Sequence, residues 1–318
     1  MIEGIPRISV TIICYKQEKL IKRAIESLLA QKDYLYEICV SDDCSPDSTW
    51  DVLLDYQKQY PDLFKLHRND PNVGIFENVE YTWTMPTGDI VYSMAGDDEA
   101  GEGWFKKVVD FISEKGIDYR NEDFCIYCDY KNIYPNGDTI VHRNSLITTD
   151  VDPLRLSLRG LIGNRGCCWN VNILRQFRKV SQGRSHIAED AQDRQLQIFS
   201  KKNYYIPYVG NIYYSYVGVS SQINEDTLKE RAKIRPYALG LFEEWGIELS
   251  DKDKVYSLEC FPAYERMLNT PTVRNIWNWL RLLIKSNDST IPSSAKKWKN
   301  FVFAIRRRLP HKHPLCIK

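Results

Sequence analysis

Over roughly the first 120 residues, apolar and polar positions follow a pattern that predicts strands alternating with helices. Ile8 to Cys14, in "RISVTIICY", is a β-branched apolar run with the composition of a buried strand. In the following "KQEKLIKRAIESLLAQ", Leu20, Ile21, Ala24, Ile25, Leu28 and Leu29 recur at helical spacing on one face. "YEICVSDD" returns to strand. "SPDSTWDVLLDYQKQY" predicts a helix with Ser45 as N-cap and Pro46 at the first helical position. "LFKLHRN" predicts a short strand and "NVGIFENVEYTWTM" a helix. "IVYSMAGDD" predicts a fourth strand, and "GWFKKVVDFISEKG" a helix stopped by Gly116. This alternation implies an α/β fold with a mainly parallel, doubly wound sheet. Such sheets bind ligands beyond the carboxyl ends of their strands. Tyr15, Asp42-Asp43 and Asp97-Asp98 all fall there.

Beyond residue 120 the pattern changes. "FCIYCDYKNIYPNGDTIVHRN" predicts a hairpin about Asn136-Gly137. "PLRLSLRGLIG", "VNILRQFRKV" and "AEDAQDRQLQIFSKK" read as helical, and "NYYIPYVGNIYYSYVG" as two aromatic-rich strands. From about Asn224 the chain is mostly helical.

Composition adds constraints. The 43% hydrophobic and 27% charged fractions are those of a globular protein. No run approaches the ~20 apolar residues of a membrane span, and Met1 to Arg7 lacks a secretory apolar core. A cytoplasmic protein is the expectation. Nine cysteines fit that compartment; Cys125 and Cys128 form a CxxC without a second pair, so buried inert thiols are expected rather than a metal site. Whole-chain charge is +1, yet Lys296 to Lys318 holds eight Lys/Arg and no acid, leaving the rest at −7. That asymmetry points to an anionic partner for the tail.

The acids of "YSMAGDDEA" raise the chemical question. Two carboxylates about 4 Å apart repel by roughly 4 kcal/mol at an effective dielectric of about 20. Either Asp97 and Asp98 face water, or a cation sits among them. Asp42-Asp43 could accept hydrogen bonds from a ligand or complement the positive end of the following helix. In "HIAEDAQDRQL", Glu189, Asp190 and Asp193 open a predicted helix, a place acids also occupy for dipole reasons alone.

Taken in order, "VTIICYKQEKLIKRAIESLLAQ", "EICVSDDCSPDST", "NVG", "GDIVYSMAGDDE" and "AED" resemble the family 2 inverting glycosyltransferases over about Ile8 to Ser221. The resemblance implies a GT-A fold: a Rossmann-like catalytic domain over 1–222, with a nucleotide-binding half to about 120 and an acceptor half over 121–222. A helical, basic extension would cover 223–318. It implies a nucleotide-sugar donor, with UDP favoured, a divalent metal (Mn²⁺ or Mg²⁺), and a glycan or lipid-linked acceptor hydroxyl in bacterial surface-polysaccharide assembly. By this match Asp98 is the metal ligand, with Asp97 beside it on the metal or ribose side. Gly96 would let the backbone approach the ligand. Tyr15, Asp42 and Asp43 would lie near the base, and Asn72 and Gly74 in a loop approaching the nucleotide. Asp190 would be the general base and Glu189 an acceptor contact. Trp169 would stack on a sugar ring or belong to the core. Two departures stand out. Ala95 occupies a position where the family often has another Asp, and "YYSYVGVSSQ" lacks the family's late Arg or His, for which Arg165 or Arg184 could substitute.

Two other readings compete with this one. A nucleotidyltransferase would show a glycine-rich phosphate loop after the first strand, which "CYKQEK" lacks; the other is a non-catalytic nucleotide- or glycan-binding module on the same fold. "KKWKNFVFAIRRRLPHKH" mixes cations with Trp298, Phe301 and Phe303, and "VRNIWNWLRLLIK" upstream is similar; both patterns suit either interfacial contact with an anionic membrane at its cytoplasmic face or helices packed on the catalytic domain with solvated charges. No nucleic-acid-reading motif accompanies the charge.

Overall fold

The computed structural model describes residues 5–148, 152–159, 161–176, 196–215, 236, 239–240, 242–243, 246–269 and 272–287. Contacts divide the chain into two units, one of residues 1–151 and 164–224, the other of 152–163 and 225–318.

The first unit is built on one sheet. Strands β1 (Ile8–Cys14), β2 (Leu35–Asp42), β3 (Phe64–Arg68) and β4 (Ile90–Ala95) run parallel in the order β3-β2-β1-β4. Helices α1 (Ile21–Leu29), α2 (Thr49–Gln59) and α3 (Ile75–Thr82) make the crossovers that parallel pairing requires. Central β1 is covered on both faces, which is why Ile8, Val10 and Ile12 are fully buried in a continuous apolar run. Helix α1 buries Ile21, Ala24, Ile25 and Leu28, the stripe its spacing predicts. Each of the larger three contributes about 1.5–3 kcal/mol by leaving water.

The sheet continues as β4-β8-β6-β9-β5, with β5 (Glu99–Ala100), β6 (Phe124–Ile133), β8 (Cys168–Asn170) and β9 (Lys202–Tyr214). Strand β8 is antiparallel to both β4 and β6, whereas β6 and β9 are parallel. Helix α4 (Trp104–Lys115) ends at Gly116, whose φ of 60° is the left-handed cap expected of that residue. Strand β7 (Thr139–His142) pairs with β6 across Asn136-Gly137, confirming the hairpin. The aromatic segment expected as two strands is a single strand, β9. Its register slips from Cys128 opposite Ile206 to Asp129 opposite Val209, leaving out Pro207 and Tyr208. Proline has no N–H for the ladder, so the strand bulges there instead of ending. Cys125 and Cys128 are buried free thiols; burial drives the Cys128 thiol pKa well up, as befits inert core residues.

The second unit contains α5 (Pro153–Leu158), α7 (Asp251–Val255), a π turn at Tyr256–Cys260, α8 (Phe261–Asn269) and α9 (Val273–Lys285); α6 (Val171–Arg175) belongs to the first unit. Tyr256, Cys260, Ala263, Met267, Trp279 and Leu282 form its core. Buried Asp253 accepts from Arg155 Nε at 2.9 Å and Arg159 Nε at 2.8 Å, tying α5 to α7.

Candidate functional site

Register places two acidic corners around the end of β1. Cys14 pairs with Asp42 on β2, and Ile13 with Ala95 on β4, so each corner lies about one strand spacing, ~4.8 Å, from β1. The backbone is strained where this edge begins. Lys16 (φ 54°) and Cys44 (φ 57°) are left-handed without being glycine, a conformation that costs about 1–2 kcal/mol. It is held by Lys16 N–H, which donates to Ser45 Oγ at 3.0 Å. Tyr15, half-buried, has the Lys16 ammonium 5.1 Å from its ring centre.

Asp42 is fully buried and committed to the chain itself. It accepts from the Ser45 N–H at 3.0 Å and from the Ser45 hydroxyl, and pairs with Arg68 at 3.3 Å. Ser45 is therefore a clamp on Asp42 and not the N-cap expected of it; α2 starts later, at Thr49, whose N–H donates to Asp47 Oδ1 at 3.1 Å. The Ser45 hydroxyl makes a bond to an ionised acid in preference to one with a helix N–H, because charge-assisted bonds are the stronger.

Asp43 organises the "NVG" loop. Its carboxylate accepts from Asn69 Nδ2, Val73 N–H and Gly74 N–H, each at 2.9 Å, and its carbonyl accepts from Asn72 Nδ2 at 2.6 Å. Asp43, Asn72 and Gly74, singled out separately in sequence, thus form one unit. Gly74 has φ 87°, which suits glycine.

At the end of β4, Gly96 is needed for packing: a Cβ there would lie 2.7 Å from Ile21 Cδ1 and 3.2 Å from Cys14 Cβ. Asp97 and Asp98 are 8% and 3% exposed, so they do not form a solvated acidic turn. Burial pushes both carboxyls up, Asp98 to about 7, against the opposing charge of Arg165. Asp98 Oδ2 faces Arg165 Nη1 at 3.7 Å, while its buried Oδ1 has no hydrogen-bond partner among the described residues. Arg23, on α1, donates to the Asp97 carbonyl at 2.7 Å and pairs with Glu99 at 3.0 Å. Its guanidinium carbon lies 3.4 Å above the Tyr214 ring centre. No local signal in the sequence marks Arg23, because its partners are some seventy and more residues away.

The chemistry of this corner fits a divalent cation. An orphaned, buried carboxylate oxygen is costly as it stands and is the donor a hard cation takes. Among the described residues no three His, Cys, Asp or Glu side chains converge on one point. Trp169 is 3% exposed on β8, with its ring 6.1 Å from Tyr127, the core position left open for it as an alternative. Arg184, Glu189, Asp190, Asp193 and the 296–318 tail lie outside the described residues.

Residues 9–134 match the family described as glycosyl transferase family 2. A putative glycosyltransferase, EpsE, of Bacillus subtilis is 29% identical over 109 residues, 34% of this chain and 39% of that protein. A processive diacylglycerol beta-glycosyltransferase of Mycoplasma pneumoniae is 26% identical over 113 residues, 35% of this chain and 33% of that protein. The chain thus spans well under half of these relatives. Among solved structures, S. aureus TarS 1-349 in complex with UDP-GlcNAc superposes with a TM-score of 0.57 at 17% identity, covering 88% of this chain and 80% of that one. GalNAc-T7 with UDP, GalNAc and Mn²⁺ gives 0.51 at 14% identity, covering 97% and 59%. The likeness to family 2 and the GT-A type fold are borne out.

Proposed function

We propose that this protein is a metal-dependent inverting glycosyltransferase that moves a sugar from a UDP-linked donor to the hydroxyl of a glycan or lipid-linked acceptor. The observation that carries the reading is the buried Asp98 Oδ1, without a hydrogen-bond partner among the described residues, at the carboxyl end of β4, where doubly wound sheets hold ligands. Kinship with family 2 and the fold shared with a UDP-GlcNAc-bound TarS support it.

Asp98, with Asp97 beside it, would hold Mn²⁺ or Mg²⁺. Such an ion, when bound, offsets the negative charge that grows on the leaving diphosphate. The chain's own residues do the rest. The loop braced by Asp43 presents Asn72 and Gly74 at the nucleotide side, with Tyr15 at the base. Arg165, now beside Asp98, supplies the positive charge that the family's late Arg or His would bring to the diphosphate. Asp190 accepts the acceptor's hydroxyl proton as oxygen attacks the anomeric carbon, and Glu189 orients that hydroxyl. Attack opposite the leaving group inverts the centre in one step. No enzymatic nucleophile is needed. The setting we favour is surface-polysaccharide assembly at the cytoplasmic face of a membrane, with the basic 296–318 segment facing anionic lipid. No described helix is long and apolar enough to cross a membrane.

Calorimetry of UDP with and without Mn²⁺ tests the donor site. Metal-dependent UDP binding that disappears in Asp98→Ala is the expected result; binding of equal strength in that variant would overturn the reading. Asp190→Asn should keep UDP affinity and lose transfer. Retained transfer would remove Asp190 as base and leave the donor site standing.

A further inference from the structure

We infer that the outward face of α9 (Val273–Lys285) is a docking surface for an anionic lipid bilayer. The helix turns one side inward, burying Trp279 and Leu282 in the second unit's core with Ile276, Leu280 and Leu283 packed against it. Its outer side would ordinarily be polar. Instead, Val273 is 62% exposed, Trp277 68% and Ile284 77%. At 3.6 residues per turn these three share one strip along the helix. Arg274, Arg281 and Lys285, all exposed, form the adjoining strip. The whole outer face therefore occupies about a third of the circumference, apolar along one edge and cationic along the other. The helix carries no Asp or Glu; among the described residues the acid paired to it is Glu259, 3.3 Å from Lys285.

That layout discriminates among partners. An anionic leaflet offers phosphates to the cations and, immediately beneath them, an acyl boundary for Trp277 and Ile284. A second copy packed face to face would set Arg274 and Arg281 near their own counterparts, a like-charge arrangement that disfavours pairing. A nucleic acid would use the cations but gain nothing from a strip of valine, tryptophan and isoleucine. One short helix of this kind gives reversible attachment that added salt weakens.

The inference rests on the membrane setting proposed above, but it names a different element from the 296–318 tail and needs no sugar transfer to test. The full chain is floated with vesicles of phosphatidylcholine alone and of phosphatidylcholine with phosphatidylglycerol. Binding to the anionic vesicles only, falling as salt rises, is expected. Arg274→Gln and Arg281→Gln should each lower partitioning up to about fivefold. Trp277→Ser with Ile284→Ser should lower it at every salt concentration. All four positions are exposed, so melting temperature and UDP affinity measured on the same variants should stay unchanged. This separates failure of the docking face from failure of the donor site. Indifference of the wild-type chain to anionic vesicles would overturn the inference. So would variants that bind as well as wild type, or a dimer that Trp277→Ser converts to monomer.

Discussion

Arg165 Nη1 stands 3.7 Å from Asp98 Oδ2, and its guanidinium carbon lies 3.6 Å above the Tyr213 ring centre. The acid proposed to bind metal already has a cation beside it, held over an aromatic face where a guanidinium keeps its charge at low desolvation cost. A metal ion arriving at Asp98 meets that charge. A diphosphate arriving with the metal is attracted by it.

Arg165→Met should therefore have opposite effects on the two ligands. With the competing charge gone, affinity for Mn²⁺ alone should rise about twofold to fivefold, modest because Arg165 is 43% exposed and screened by solvent. Affinity for UDP in saturating Mn²⁺ should fall by a similar factor. Calorimetry of each ligand separately checks this; a parallel loss of both would make Arg165 merely structural.

Asp98→Asn should abolish metal-dependent UDP binding yet make the ligand-free protein more stable, by about 1–2 kcal/mol in chemical denaturation at pH 8. Its carboxyl is raised to about 7, so at pH 8 the folded state carries a buried charge that the unfolded state would hydrate freely. Lower stability in the variant would mean that the charge is better compensated than its unpartnered Oδ1 implies.

Lys16→Asn should stabilise the fold by up to about 1 kcal/mol. Lys16 is left-handed at φ 54°, a region asparagine enters more readily than lysine. A thermal melt reads the shift; an unchanged or lower melting temperature would show that the Lys16 ammonium over Tyr15 contributes as much as the backbone strain costs.

Glu37 governs part of the acid sensitivity. Burial pushes its carboxyl up, but bonds from Lys65, Ser9 and Thr87 outweigh that and hold it below the ordinary glutamate range. A depressed folded-state pKa means that the unfolded chain binds the proton more readily. The contribution is thus complete above about pH 4.5 and is lost as pH falls through the folded value. Glu37→Gln should flatten stability against pH below about 5, and lower it at pH 7 by about 1–3 kcal/mol. An unchanged acid slope would assign the sensitivity to other carboxyls.

Much of this was written in local pattern. The β-branched runs at Ile8 and Ile90 and the helical stripe of α1 required no tertiary information, because burial on a strand or helix repeats with the element's own period. The placement of Tyr15, Asp43 and Asp98 at strand ends follows from that alternation. Two expectations failed, one at a local choice of partner and one at a distant pairing. Ser45 took Asp42 instead of a helix N–H, and the aromatic segment around Pro207 continued as one bulged strand because β6 was there to pair with it.

By itself, then, the chain's order of residues determined the alternating sheet, the acids at its carboxyl edge and the likeness to family 2 that they carry. Only the folded arrangement decided what each acid is engaged with: Asp42 and Asp43 are held by several bonds from the chain, whereas Asp98 keeps one buried oxygen without a partner among the described residues. The reason is physical. Periodicity is a property of neighbours along the chain, but desolvation and hydrogen-bond satisfaction sum over atoms that the fold brings from far along it, such as Arg165 to Asp98 and Asn69 to Asp43.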